Sequence, residues 1–196
     1  MSLTLIGSHT SPFVRKLRLL LHGDQTVTFK VVNYLEEEGN AYLKSVNPLN
    51  QLPMLLDGNQ PVYNSRIIFN HISKIKGIAP LTIDEENILS AIDTMLDTGV
   101  NLFSLRKGGI NIHDESNYFL VRQNERIPSI VKMLTPWAVK LDPKSDWNFL
   151  TMSLYSAVFW MGFRDVYDMS KHPEMMEFLE KFKNCPGIVE TDIPKT

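Results

Sequence analysis

A change of hydrophobic periodicity near residue 77 divides this chain into two parts that must fold in different styles. Over the first 76 residues, short apolar or β-branched runs alternate with helical patterns, whereas from Glu85 onward strand signals vanish and only helical spacing remains. Leu3–Ile6, bounded by Gly7, suits a buried strand. Pro12 opens a helix with Val14, Leu17, Leu20 and Leu21 on one face and Gly23 closing it. A proline in the first turn loses nothing there, because the N–H it lacks would be unpaired anyway. Thr28–Val32 is rich in β-branched residues and predicts a second strand, and Asn40–Val46 predicts a short helix that ends before Asn47-Pro48. Leu52–Leu56 and Pro61–Tyr63 flank the turn-forming Asp57-Gly58-Asn59-Gln60 and read as a hairpin. Ser65–Lys76 places Ile67, Ile68, Ile72 and Ile75 at helical spacing and stops at Gly77.

The order β-α-β-α-β-β-α, a βαβ unit followed by a ββα unit, is the thioredoxin-like plan, an α/β domain over residues 1–77. Residues 77–84 have no sustained periodicity and read as a linker. Helical patterns then run through Ile88–Leu105, Ser116–Leu134, Trp147–Phe163 and Pro173–Phe182, separated by loops expected at Gly108-Gly109, Pro136 and Pro143. Pro128 falls inside the second of these and predicts a kink or an early end. An α/β half followed by an all-α half over 84–196 implies two domains with a cleft between them.

Composition excludes several classes. A net charge of −2 over 196 residues argues against nucleic-acid binding, which needs a basic face. No stretch reaches the ~20 apolar residues of a membrane span. The apolar run of residues 150–163 is interrupted by Thr151, Ser153 and Ser156 and fits a buried helix. The opening residues lack the basic region of a signal peptide. A single cysteine, Cys185, permits no intrachain disulfide, and the five histidines lie too far apart to suggest a metal site. The expectation is a cytoplasmic protein without metal, nucleic-acid or membrane partners.

Three short segments could carry chemistry. Ser11-Pro12 stands at the junction of the first strand and first helix, where a hydroxyl lies beside unpaired N–H groups and the positive end of the helix dipole. Leu52-Pro53 precedes an apolar strand, and a cis bond there would turn the backbone groups of Leu52 toward a ligand. Asn64-Ser65 begins the next helix and offers a second small anion site. Each segment taken alone reads as an ordinary cap or strand start.

Together, and in this order, SHTSPFVRKLRLLL, NPLNQLPMLLDG and PVYNSRIIFNHI resemble the glutathione transferase superfamily: its active-site loop, its NPxGxVP segment and its Glu/Asp-Ser glutathione motif. The tail KHPEMMEFLEKFKNCPGIVETDIP is similar to the family's final segment, so the resemblance touches nearly the whole chain, of the bacterial type with serine at the active-site position. The resemblance implies that Ser11 hydrogen-bonds the sulfur of glutathione as the catalytic residue. It implies that Pro53 is the cis proline, with Leu52 pairing the cysteinyl unit and Gln51 reaching the glycine end. Asn64 and Ser65 would hold the γ-glutamyl carboxylate. It also implies a homodimer acting on glutathione and a small hydrophobic electrophile in detoxification.

The chemistry is adequate in magnitude. A free thiol with a pKa near ~8.5 is mostly protonated at pH 7, and lowering it by ~2 units requires about 2.7 kcal/mol of preferential thiolate stabilisation. One hydroxyl donor to a charged sulfur (~1.5–3 kcal/mol) plus a helix dipole (up to ~2 kcal/mol) supplies that. The sequence departs from the family pattern in four places, one of them Leu52 where the pattern has valine. Asn64 stands where an acidic residue would pair the ligand ammonium, Asn50 replaces a glycine, and Thr151 replaces the aspartate of a buried Ser/Thr-x-x-Asp cap begun by Asn148. The last change predicts a one-sided cap. Serine at position 11 argues against a mixed-disulfide mechanism there, and Cys185, beyond the last helix, reads as inert. Beside the glutathione S-transferase reading stands a second one, a glutathione-transferase-like binding or interaction protein without catalysis, and a thiolate-using isomerase or dehalogenase is a third. Arg15 reads as solvated or salt-bridging, Arg106 and His9 as surface residues, and Phe13, Phe103 and Tyr118 as core aromatics before pocket residues.

Overall fold

Strand β1 (Leu3–Gly7) is almost continuously apolar and almost wholly buried, as a strand flanked on both sides must be. In the computed structural model, which describes residues 3–193, β1 pairs in parallel with β2 (Val27–Val31) and antiparallel with β3 (Met54–Asp57). Strand β4 (Gln60–Tyr63) completes a four-stranded sheet of order β2-β1-β3-β4. The edge strand β2 is far more exposed than β1, which explains its β-branched, half-polar sequence. The hairpin between β3 and β4 turns on Gly58-Asn59, with Gly58 at φ 58°.

Helix α1 (Pro12–Leu20) follows β1 and buries Val14, Leu17 and Leu19. Helix α2 (Glu37–Val46) starts earlier than the expected Asn40. Glu37 and Glu38 in its first turn complement the positive helix end, a signal carried by charge instead of apolar periodicity. Helix α3 (Ser65–Lys76) has the predicted bounds and ends on Gly77 in the left-handed conformation, φ 66°.

The chain forms two compact units, the described residues of Met1–Pro80 with Pro186–Thr196, and Leu81–Cys185. The helical half expected over 84–196 therefore closes at Cys185, and the following segment rejoins the first unit. The cause is a pair of arginines on α1. Arg15 Nη2 donates to the Ile188 carbonyl (3.2 Å) and pairs with Asp192 (3.3 Å), and its Nε reaches Thr191 Oγ1 (3.4 Å). Arg18 donates to the carbonyls of Thr191 (3.2 Å) and Glu190 (2.8 Å). Gly187, at φ 86°, lies so close to the first unit that a Cβ there would come within 3.0 Å of His22. Arg15 is thus a buried clamp.

The second unit is all helix among its described regular elements. Helix α4 (Ile83–Lys107) begins with a complete capping box: the Glu85 N–H donates to Thr82 Oγ1 (3.3 Å) and the Thr82 N–H to Glu85 Oε2 (2.7 Å). It therefore starts inside the expected linker. Helix α5 (Tyr118–Ala138) runs through both Pro128 and Pro136, so neither ends it, and Pro136 is not in a loop. A helix-interior proline costs ~3 kcal/mol, whereas each buried Val, Leu or Ile contributes ~1.5–3 kcal/mol. Ile127, Val131 and Leu134, all buried, offset the penalty of the two prolines.

Helix α6 (Phe149–Phe163) is buried over nearly its whole length, its Ser153 and Ser156 hydroxyls donating to Phe149 (2.6 Å) and Met152 (2.8 Å) carbonyls. Its cap is not one-sided as expected. The Asn148 N–H donates to Thr151 Oγ1 (2.9 Å) while Asn148 Oδ1 accepts from the Leu150 and Thr151 N–H groups, so a threonine hydroxyl replaces the carboxylate. Thr151 Oγ1 also donates, to the Asp146 carbonyl at 2.6 Å. Helix α7 (Pro173–Phe182) closes the unit, packing on α5 and α6. No helix of the described residues is long and apolar enough to cross a membrane.

Candidate glutathione-binding site

The register of the sheet assembles the three segments singled out from sequence. Ile6 pairs with Met54, and Met54 pairs with Tyr63. The end of β1, the start of β3 and the end of β4 therefore lie in one row. The loop to Ser11 leaves the first, Pro53 enters the second, and Asn64-Ser65 leaves the third. Adjacent strands lie ~4.8 Å apart, so the row spans about 10 Å, the length of an extended tripeptide. Helices α1 and α3 both begin at this end, directing two sets of unpaired N–H groups and two positive dipole ends toward it.

Ser11 is the N-cap of α1, at φ −87° and ψ 124°, and its Oγ accepts from the Val14 N–H at 3.4 Å. That bond engages an oxygen lone pair and leaves the hydroxyl proton for donation. The Leu52-Pro53 bond is cis, and Pro53 is buried. Leu52 packs against a core cluster of Ile6, Val32 and Met54. Gln51 is exposed, and its backbone is held by Asn47, whose Nδ2 donates to the Gln51 carbonyl at 2.7 Å. Asn47 also accepts the Leu49 N–H (2.9 Å), and Asn50 takes the positive φ of 49° expected where the family carries glycine. Asn47, 1% exposed, is the structural residue that sequence reasoning missed. It was legible only as the residue before a proline, whereas its role depends on a bond that closes the loop.

Asn64 caps α3, its Oδ1 accepting the Arg66 N–H at 2.9 Å. Its backbone, at φ 69° and ψ 132°, lies outside the ordinary left-handed well, a conformation that surrounding structure must impose. Ser65 is the first residue of α3 and is buried.

His9, in the loop before Ser11, is half-buried and not a plain surface residue. Its ring meets Phe29 edge-on at 5.4 Å, and Arg18 lies over the same Phe29 ring at 4.7 Å. Burial, and then the Arg18 charge, hold the His9 pKa below the ordinary histidine value. Phe13 is half-buried, with the Lys16 amino group 5.2 Å from its ring centre. Tyr118 is 73% exposed and is no core residue, Phe103 meets Trp160 edge-on, and Arg106 reaches the end of α6. Cys185 is half-buried, and burial raises its thiol pKa, opposite to what a reactive cysteine needs. Among the described residues no group of three or more His, Cys, Asp or Glu could hold a metal ion.

Residues 1–74 match the family model of the glutathione S-transferase N-terminal domain. The chain has the glutathione-transferase fold. A glutathione transferase family member from Pseudomonas fluorescens, solved with bound glutathione, superposes with a TM-score of 0.81 at 22% identity, over 99% of this chain and 100% of that one. A glutathione S-transferase from Methylobacterium radiotolerans, in complex with glutathione sulfonate, gives a TM-score of 0.80 at 18% identity over 100% and 97% of the two chains. The Escherichia coli protein YibF, described as an uncharacterised GST-like protein, is 28% identical over 97% of this chain and 98% of its own.

Proposed function

We propose that the protein is a glutathione S-transferase, joining the glutathione thiolate to small hydrophobic electrophiles. The observation that carries this reading is the Ile6–Met54–Tyr63 register, which gathers Ser11, Leu52-Pro53 and Asn64-Ser65 at the sheet end where α1 and α3 begin. In this reading Ser11 donates its hydroxyl proton to the sulfur and favours the thiolate. The Leu52 backbone pairs the cysteinyl unit, Gln51 meets the glycine end, and Asn64 and Ser65 hold the γ-glutamyl carboxylate at the start of α3. A carbon–sulfur bond forms, and the leaving group departs with its electron pair. In an addition, the electrophile instead gains a proton from water. The glutathione bound in the Pseudomonas structure supports the choice of co-substrate. Family precedent supports a cytoplasmic homodimer, and light scattering would return twice the chain mass.

Ser11→Ala tests the catalytic role. Loss of one hydrogen bond to a charged sulfur predicts a fall of about 10- to 100-fold in kcat/KM with an activated aryl chloride, glutathione binding being retained. Unchanged kcat/KM would remove Ser11 from the mechanism. A second reading, a glutathione-binding module without turnover, is favoured by Asn64, whose side-chain oxygen caps α3 and which brings no carboxylate for the ligand ammonium. Wild-type glutathione binding without turnover of any electrophile would establish it.

A further inference from the structure

The helical unit contains a cluster of cations that the proposed reaction does not use. It lies where α4 and α6 end side by side. Arg164, just past α6, holds its guanidinium carbon 5.0 Å from the ring centre of Phe103 and 5.0 Å from that of Phe163. Its Nε is buried without a hydrogen-bond partner, and among the described residues its guanidinium makes no ion pair. Lys107 places its amino group 5.7 Å from the same Phe103 ring. Arg106 donates to the Arg164 and Asp165 carbonyls, which fixes the backbone that carries Arg164. Asp165, the acid paired with this cluster, is 4.0 Å from Arg106, and its side chain is 98% exposed, so water screens it.

Three cations against one solvated carboxylate leave an excess of positive charge. Part of that charge offsets the negative ends of α4 and α6. Arg106 serves this purpose directly, because its bonds go to the carbonyls of Arg164 and Asp165, just past the end of α6. Arg164 does not, since it caps no carbonyl. Aromatic rings hold its guanidinium in place, reducing the side-chain entropy that a ligand must otherwise overcome. A guanidinium fixed in this way, with Nη groups that donate to no described residue, presents the planar fork that matches a carboxylate. Lys107 adds a second charge, and the half-exposed Phe163 ring offers an apolar surface beside it.

We propose that Arg164, supported by Phe103 and Phe163 and assisted by Lys107, forms a carboxylate-binding site in the helical unit. The ligand class is a small organic carboxylate with an apolar body, the carboxylate on Arg164 and the body against Phe163. The site does not depend on Ser11, Pro53 or Ser65, so it stands or falls independently of the transferase reading.

The test is a titration of the full chain with benzoate, followed through the Arg164 Nε–H signal in nitrogen-edited NMR, with benzamide as the uncharged control. Benzoate is expected to shift that signal saturably and benzamide to leave it in place. Isothermal titration on variants then reads affinity. Arg164→Gln should weaken benzoate at least about tenfold and Lys107→Gln about two- to fivefold. Lys107→Gln alters only an exposed side chain, so the measurement survives if Arg164→Gln fails to fold. A shift that grows linearly with benzoate and is matched by sodium chloride would overturn the proposal, as would benzoate affinity unchanged in Lys107→Gln.

Discussion

Ser11, Asn64 and His9 show how much a single side chain decides here. The Ser11 Oγ accepts a long 3.4 Å bond from the Val14 N–H, so Ser11→Ala costs α1 about 0.5–1 kcal/mol, while the predicted loss of turnover is far larger. Asn64→Asp keeps an oxygen to cap α3 and adds the charge that a ligand ammonium requires. It is expected to tighten glutathione about two- to tenfold by calorimetry, and unchanged or weaker affinity would remove Asn64 from the ligand site. His9 sets a pH dependence. Its pKa is lowered on folding, by burial first and then by Arg18, so the unfolded chain binds its proton more readily. The His9 contribution to stability is therefore complete above the ordinary histidine pKa. It is lost as pH falls from near 6.5 through the depressed folded value. Wild type should lose more stability than His9→Phe across that window in denaturant titrations, and parallel profiles would contradict the assignment. Ser11, Pro53 and Ser65 were legible because each stands at a strand or helix boundary marked by proline or a hydroxyl. His9 was not, because its burial comes from Phe29, twenty residues further along the chain.

At the level of elements, boundaries marked by proline, glycine or an Asn-Ser pair were read correctly, whereas the acidic first turn of α2, the Thr82–Glu85 capping box of α4 and continuity set by packing were not. Helix α3 runs from a capping Asn-Ser to a glycine, both visible in sequence. The continuity of α5 through two prolines was not visible, because it rests on burial of a face against neighbouring helices. The α6 cap falls between these cases. Asn148 was legible as a cap, but the reciprocal bond from Thr151 depends on a hydroxyl that also reaches Asp146. Two variants probe it. Asn148→Ala should destabilise the protein by about 1–2 kcal/mol, because it removes the acceptor for two N–H groups of a helix in the core. Thr151→Val preserves volume and removes the hydroxyl that serves the Asn148 N–H and the Asp146 carbonyl, for about 1–3 kcal/mol. If chemical denaturation finds Thr151→Val neutral, the reciprocal cap contributes nothing to stability.

Over the whole molecule, the change of periodicity near residue 77 separated an α/β part from a helical part, and the chain folds in those two styles. The return of the C-terminal segment to the first unit was beyond the sequence. It depends on Arg15 and Arg18 donating to residues about 173 positions away, and backbone carbonyls leave no trace in composition. The proposed function requires the sheet end formed by β1, β3 and β4 to bind glutathione. The decisive experiment is calorimetric titration of the full chain with reduced glutathione, repeated on Ser65→Ala. Saturable binding in the sub-millimolar to millimolar range, about −4 to −6 kcal/mol, is expected, and Ser65→Ala should abolish it or weaken it at least tenfold. A folded wild-type protein that gives no binding heat at several millimolar glutathione, or a Ser65→Ala variant that binds as well as wild type, would contradict that requirement.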